Sequence, residues 1–135
     1  GRPPSINFDN EIKNGNFIYN TIREIGISGC HDVSEGGLFT SLIESLMPRG
    51  LGCEIYTDQS FRQDAYLFGE SQSRILVSIN PKNKTEFKKI LKKFKFPFYE
   101  LGYVSNDKVL IDDIDFGNIK LLKEKYNTAL EKKIN

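Results

Sequence analysis

The chain has 135 residues, 39% of them hydrophobic and 12% aromatic, which is enough for one well-filled core and too few for two ordinary domains. Its formal net charge is +1 with 27% charged residues of both signs, so no global field marks it for nucleic acid or an acidic substrate. Two cysteines, Cys30 and Cys53, with no Cys-x-x-Cys and a single histidine, argue against a disulfide framework and a structural zinc site, and no apolar run reaches the roughly 18 residues of a membrane span.

Residues 1–8, with Pro3-Pro4, read as an extended lead-in, and a Gly-Arg start without Met suggests a piece cut from a longer chain. Residues 9–135 then read as one domain. The amino terminus has none of the charged-then-apolar form of a secretion signal, so the expected compartment is the cytoplasm. Asp9 is placed to cap a first helix whose apolar side is Ile12, Ile18, Ile22 and Ile25, with Gly26 where a C-terminal glycine belongs. Asn14-Gly15-Asn16 weakens its first half, leaving residues 17–25 as the firm part. Ile27 to Val33 makes a short strand that delivers His31 and Asp32 to its carboxyl end.

The next helix is capped by Ser34 or Asp32, has Glu35 in its first turn, and repeats Leu38, Leu42, Ile43, Leu46 and Met47 at helical spacing. Gly36 and Gly37 at its start each cost about 1 kcal/mol against alanine. Two readings account for them: bare backbone amides at a helix N-terminus receive an anion, or the missing side chains let elements pack closely. Pro48-Arg49-Gly50 ends the helix, and Leu51, Cys53 and Ile55 alternate with polar residues as in a half-buried strand.

Arg62 to Phe68 makes a short helix that stops at Gly69. Glu70-Ser71-Gln72-Ser73-Arg74 is a dense polar cluster, read either as turn chemistry or as a site, and it leads into Ile75 to Ile79, the clearest buried strand of the chain. Pro81 opens a helix with Phe87, Ile90, Leu91 and Phe94 on one side and six lysines elsewhere. That lysine face is solvated or meets phosphates, but it lacks the arginines and exposed aromatics of a base-stacking surface. Phe98 to Val104 and Lys108 to Ile111 are predicted to form a hairpin turning at Ser105-Asn106-Asp107. Asp112, Asp113 and Asp115 lack calcium-loop spacing and read as a turn and helix cap. A last helix from about Asn118 to Lys133 turns Ile119, Leu122, Tyr126, Ala129 and Leu130 inward. The order of elements predicts an α/β (α+β) fold, a mixed β-sheet covered by helices.

Chemistry is sparsely marked. There is one histidine, no Gly-x-Ser-x-Gly turn and no P-loop, so hydrolase triads and Walker-type nucleotide binding are disfavoured. Asp32, Glu35 and Glu70 suit magnesium only if the fold brings them together.

His31-Asp32-Val33-Ser34-Glu35-Gly36-Gly37-Leu38 and Phe68-Gly69-Glu70-Ser71-Gln72-Ser73-Arg74-Ile75-Leu76-Val77-Ser78 closely resemble two signatures of the phosphoribosylformylglycinamidine synthase family, large subunit. Tyr99 to Val104 and Lys125 to Leu130 resemble the carboxyl terminus of that family, and the likeness runs from about Pro3 to the end. Glu35 stands where aspartate is commoner, which keeps the charge. The resemblance implies the C-terminal domain of the aminoimidazole ribonucleotide synthetase superfamily, in its second repeat. It implies an ATP-dependent carbon–nitrogen ligase of purine biosynthesis that amidates formylglycinamide ribonucleotide with glutamine-derived ammonia.

ATP and magnesium are then the cofactors, held mainly by a preceding nucleotide-binding domain of the same polypeptide; a glutaminase is the further partner, with no nucleic acid and no membrane. The domain alone is expected to be inactive and to carry no catalytic residue. By motif position the resemblance implies Gly36 and Gly37 amides toward a phosphate, His31 and Asp32 beside them, and Glu70, Ser71 and Gln72 as polar contacts. The family holds a catalytic cleft and a related structural one, and both remain open for this segment. Alternatives are another ATP-using enzyme of the superfamily, such as a thiamine-phosphate kinase or hydrogenase maturation protein, or a lysine-faced nucleic-acid-binding module. The Glu-Ser-Gln-Ser-Arg segment favours the synthase.

Overall fold

The computed structural model describes residues 6–129. Among these residues five α-helices and six strands follow one another, one strand more than the sequence predicts, with helices and strands alternating up to the fourth helix and three strands in succession before the last helix. The strands divide into a four-stranded mixed sheet, which holds the core, and a separate antiparallel pair, which carries the motif segments.

Helix α1 (Phe8–Glu24) is capped by Asn7, whose side chain accepts the Asn10 N–H at 3.1 Å, rather than by Asp9. It runs unbroken through Asn14-Gly15-Asn16, and its buried residues are Phe17 and Thr21. The expected inward face is therefore corrected: Ile12 and Ile22 are 64% and 48% exposed. An aromatic cluster explains the rotation. Phe17 packs against Phe87, Phe94 and Phe96 with ring centroids 4.4 to 6.3 Å apart, which outweighs single isoleucines.

Strand β1 (Gly29–Asp32) is followed by helix α2 (Gly37–Leu46), whose Leu38, Leu42, Ile43 and Leu46 are all buried at the expected spacing. A 3₁₀ turn over Met47–Arg49 leads to strand β2 (Gly52–Ile55), where Cys53 and Ile55 are buried. Short helix α3 (Gln63–Phe68) precedes strand β3 (Ile75–Ser78), which pairs antiparallel with β1 in the register Gly29↔Ser78 to Asp32↔Ile75. Strand β3 lies where expected but is only half-buried along its length, because its sheet has just two strands. Helix α4 (Lys84–Lys93) buries Leu91, after a 3₁₀ turn opened by Pro81 and capped by Asn80.

Strand β4 (Gly102–Ser105) and strand β5 (Lys108–Ile111) do not form the expected hairpin. Strand β2 lies between them, antiparallel to β4 and parallel to β5, in the order β4-β2-β5-β6. The hairpin joins β5 to strand β6 (Ile114–Asn118), which the sequence reading had as a cap region. Asp112 and Asp113 make its turn with φ of +51° and +64°. Val109 and Ile111, fully buried on β5, meet Cys53 and Ile55 of β2 beneath α2 and Ile119.

Helix α5 (Ile119–Thr128) starts at the expected place, with Asn118 accepting the Lys120 N–H at 2.8 Å. Ile119 is buried and Leu122 packs on the core, whereas Tyr126 and Ala129 face outward. Leu130 to Lys133, and the first five residues of the lead-in, lie outside the described residues. Among the described residues no helix is long and apolar enough to cross a membrane. Cys30 is exposed and Cys53 buried, both as free thiols.

Candidate functional site

The two motif segments become each other's partners. Strand β1 ends at Asp32, the Val33 N–H bonds the Arg74 carbonyl at 2.9 Å, and Asp32 pairs with Ile75 across the small sheet. The chain then turns through Ser34 and Glu35 into two successive left-handed residues, Gly36 (φ +74°) and Gly37 (φ +69°). Neither Ser34 nor Asp32 caps α2 by its side chain, as had been expected. Gly36 holds the cap position, and the Ser34 backbone carbonyl takes the Gly37 N–H at 3.1 Å.

Each glycine has its own reason. A Cβ at Gly37 would lie 2.7 Å from the Leu67 carbonyl oxygen and from the Phe68 carbonyl carbon, so the start of α2 sits directly on the end of α3. A Cβ at Gly36 would lie 2.2 Å from Thr40 Oγ1. The Gly36 N–H donates to Glu70 Oε1 at 2.9 Å, so the second motif supplies the anion that the first motif's exposed amide accepts. Ser41 ties the arrangement down by donating to the carbonyls of Asp32 (3.0 Å) and Gly37 (3.1 Å).

The second segment is held from both sides. The Arg74 guanidinium donates to the Gly69 and Tyr66 carbonyls, each at 3.1 Å, and stacks 5.4 Å from the Tyr66 ring. Ser73, at φ +66°, donates its hydroxyl to Glu11 Oε1 at 2.5 Å, and Asn14 donates to the Ser73 carbonyl at 3.1 Å.

Between the segments opens a cleft of about 520 Å³ lined by Glu11, Asn14 and Gly15 of α1, residues 32–35, and residues 70–75. Asp32, Glu70, Ser71 and Gln72 line it as a group. Gly36 and Gly37 lie outside the lining, Gly36 touching it only through Glu70. His31 also lies outside: Nδ1 donates to the Asp32 carbonyl at 2.6 Å, while Nε2 faces Glu44 Oε2 at 3.2 Å. Glu44 also accepts the Tyr126 hydroxyl, and that bond pushes the phenol's pKa up.

Glu11 and Asn14 carry no signal in the sequence, since polar residues on an amphipathic helix ordinarily face water. Four carboxylates, those of Glu11, Asp32, Glu35 and Glu70, face the cleft, and the one guanidinium there is engaged with backbone carbonyls. Such a wall accepts hydroxyl and amide N–H donors and repels a bare anion. Among the described residues no group of three or more His, Cys, Asp or Glu side chains is arranged to hold a metal ion. The described residues therefore do not by themselves form a magnesium site, and the resemblance places that ion mainly in a preceding domain.

Two other charged regions are committed elsewhere. Glu100 bridges Lys84 and Lys88, the latter at 2.7 Å, which holds its carboxyl down to about 2 and pairs two charges of the lysine face. Asp112 accepts the Thr57 N–H and hydroxyl at 2.7 and 2.6 Å and Gln63 at 3.0 Å; Asp115 accepts the Gly117 N–H and Lys108. Asp112 and Asp113 are turn structure, and Asp115 lies on β6.

A family of proteins described as "AIR synthase related protein, C-terminal domain" matches residues 9–113. Phosphoribosylformylglycinamidine synthase subunit PurL of Caldanaerobacter subterraneus is 35% identical over 112 residues, covering 83% of this chain and 15% of that protein. The same subunit of Pelagibacter ubique is 37% identical over 114 residues, covering 84% and 16%. Thermotoga maritima PurL, solved in complex with ATP, superposes with a TM-score of 0.67 at 18% identity over 83% of this chain and 21% of its own, a likeness of fold. The chain thus spans about a sixth of the length of these curated relatives.

Proposed function

The chain belongs to the family of AIR synthase related proteins, as their C-terminal domain, and from that membership we propose that it is the last domain of a phosphoribosylformylglycinamidine synthase large subunit. The whole enzyme is a carbon–nitrogen ligase that uses ATP and glutamine-derived ammonia to amidate formylglycinamide ribonucleotide. This domain supplies a wall of a ligand cleft against a preceding nucleotide-binding domain, a glutaminase delivers ammonia, and the assembly works in the cytoplasm. ATP and magnesium are held by the preceding domain, which is why the isolated domain is inactive. The observation that carries this reading is the seam itself: two segments far apart in sequence meet along β1 and β3 and through the Gly36–Glu70 hydrogen bond, leaving their polar side chains on one cleft.

The residue roles follow from what the cleft offers. Asp32 and Glu70 accept hydroxyl or amide donors of the ligand, and Ser71 and Gln72 donate and accept beside them. With its N–H engaged by Glu70, Gly36 holds that carboxylate at the edge of the cleft, where it orients the acceptor toward the ligand. Gly37 and His31 position the turn and the strand end, one by permitting close seating on α3, the other by tying β1 to Glu44 on α2.

Grafting this chain in place of the matching segment of the Pelagibacter ubique subunit tests the reading. Substrate- and ammonia-dependent release of ADP is expected from the graft, and a folded graft without it refutes the assignment. Within that graft, Asp32→Asn with Gln72→Ala is expected to lower kcat/KM by about tenfold or more, the scale of lost hydrogen bonds to a ligand. The lysine-faced module predicts instead oligonucleotide affinity that falls steeply with salt.

A further inference from the structure

Among the described residues four that are not glycine take a left-handed φ: Ser73, Lys95, Asp112 and Asp113. Asp112 and Asp113 turn the β5–β6 hairpin, and Lys95 lies just past the end of α4, places where that conformation is ordinary. Ser73 is different. It sits in the turn that leads into β3, where glycine would adopt a φ of +66° without strain.

What serine adds there is a hydroxyl, and α1 takes it. Glu11 Oε1 accepts the Ser73 hydroxyl at 2.5 Å, and the Asn14 side chain donates to the Ser73 carbonyl at 3.1 Å. Three residues apart, Glu11 and Asn14 share one side of the helix, so a single turn of α1 grips both the side chain and the backbone of Ser73. The partners are 62 and 59 residues apart in sequence, so these bonds fix the loop against a distant element.

The gripped residue adjoins the segment that lines the cleft. Arg74 ties the loop to the Gly69 and Tyr66 carbonyls, and Glu70 is held by the Gly36 N–H. Between these anchors the side chains of Ser71 and Gln72 line the cleft and make no hydrogen bond among the described residues. Their stance toward a ligand is therefore inherited from Glu70 on one side and Ser73 on the other.

We propose that Glu11, Asn14 and Ser73 form a latch through which α1 sets the stance of Ser71 and Gln72, which makes all three positioning residues for the ligand; this rests on the cleft being the ligand site. With the latch closed, a ligand meets a loop already in place. With it open, the loop is ordered only on binding, and that cost appears in KM and leaves kcat alone.

Nitrogen-15 relaxation of the whole chain reads the latch without any activity. Order parameters at Ser71, Gln72 and Ser73 are expected near the rigid level of about 0.85 in the parent and below about 0.6 in Glu11→Ala with Asn14→Ala. Alanine suits both helical positions, so the circular dichroism of the parent is kept. Glu11→Gln retains an acceptor for the Ser73 hydroxyl and is expected to keep the loop rigid. Ser73→Gly relieves the φ but removes the hydroxyl, and is expected to loosen the loop. In the Pelagibacter ubique graft it should raise KM for ATP or for formylglycinamide ribonucleotide about tenfold at constant kcat. A loop that stays rigid in the double alanine variant overturns the latch. A loosened loop with both KM values unmoved in an active graft overturns the positioning role. An inactive graft of the parent chain overturns the cleft assignment and the ligand role with it, while relaxation still decides the latch.

Discussion

The two sheets do different work. The four-stranded sheet is covered by α2 and α5, and its central strands contribute side chains with no exposed surface, Val109 and Ile111 among them. In the two-stranded sheet β3 is half-buried and β1 is largely exposed, yet both family motifs are built on its ends. Stability and the proposed recognition are thereby separated in space. The strands that hold the molecule together bury their apolar face, and the segments flanking the small sheet are held by backbone hydrogen bonds, glycines, the Arg74 guanidinium and the carboxylates of Glu70 and Glu11.

The widest gap between the sheets is expected from truncating one fully buried residue of the large sheet and one half-buried residue of the small one. Ile111→Ala should lower stability by about 3 kcal/mol, the usual cost of a fully buried cavity, while Val77→Ala on β3 should cost about 1 kcal/mol. Urea midpoints measure both, and equal losses would erase the distinction. Next in size is Gly37→Ala. A left-handed φ and a 2.7 Å approach to the end of α3 together predict a loss of about 2 kcal/mol, larger than the seam's exposure suggests.

Asp112→Asn, at the turn bordering the four-stranded sheet, should cost about 1.5 kcal/mol, because three donors converge on that carboxylate. Burial pushes this carboxyl up, but the Thr57 hydroxyl and amide and the Gln63 amide hold it below its ordinary value. The folded state thus binds the proton less readily than the unfolded chain. The stabilisation is present above the ordinary carboxylate range and is lost as pH falls through the folded value. Acid titration of the parent and of Asp112→Asn should accordingly converge at low pH. The smallest effect belongs to Glu70→Gln, within about 0.5 kcal/mol, since the side chain is exposed. Its signature is a shifted Gly36 amide proton resonance, and an unmoved resonance would remove the Gly36–Glu70 contact from the solution structure.

How legible each part was depended on whether its cause is local. The α2 face was readable because Leu38, Leu42, Ile43 and Leu46 share a single periodic pattern and a single side. Helix α1 misled because it carries two apolar rows, and the choice between them was made by Phe87, Phe94 and Phe96 far along the chain. The β4–β5 hairpin was a reasonable local reading of Ser105-Asn106-Asp107, defeated by the insertion of β2. At the cleft, the glycine pair advertised itself, but only coordinates distinguish Gly37, required by α3, from Gly36, whose amide Glu70 takes. Glu11 and Asn14 gave no signal, since their meeting with Ser73 spans most of the domain.

The seat of β2 between β4 and β5 bears on how the chain is made. Both of its neighbours emerge from the ribosome only after α4 has been synthesised. Until then a strand with Cys53 and Ile55 on one face offers two open edges to any nascent chain nearby. The main sheet closes late and over long sequence separation, which slows folding and makes a chain stalled within α4 the form most prone to aggregate during translation.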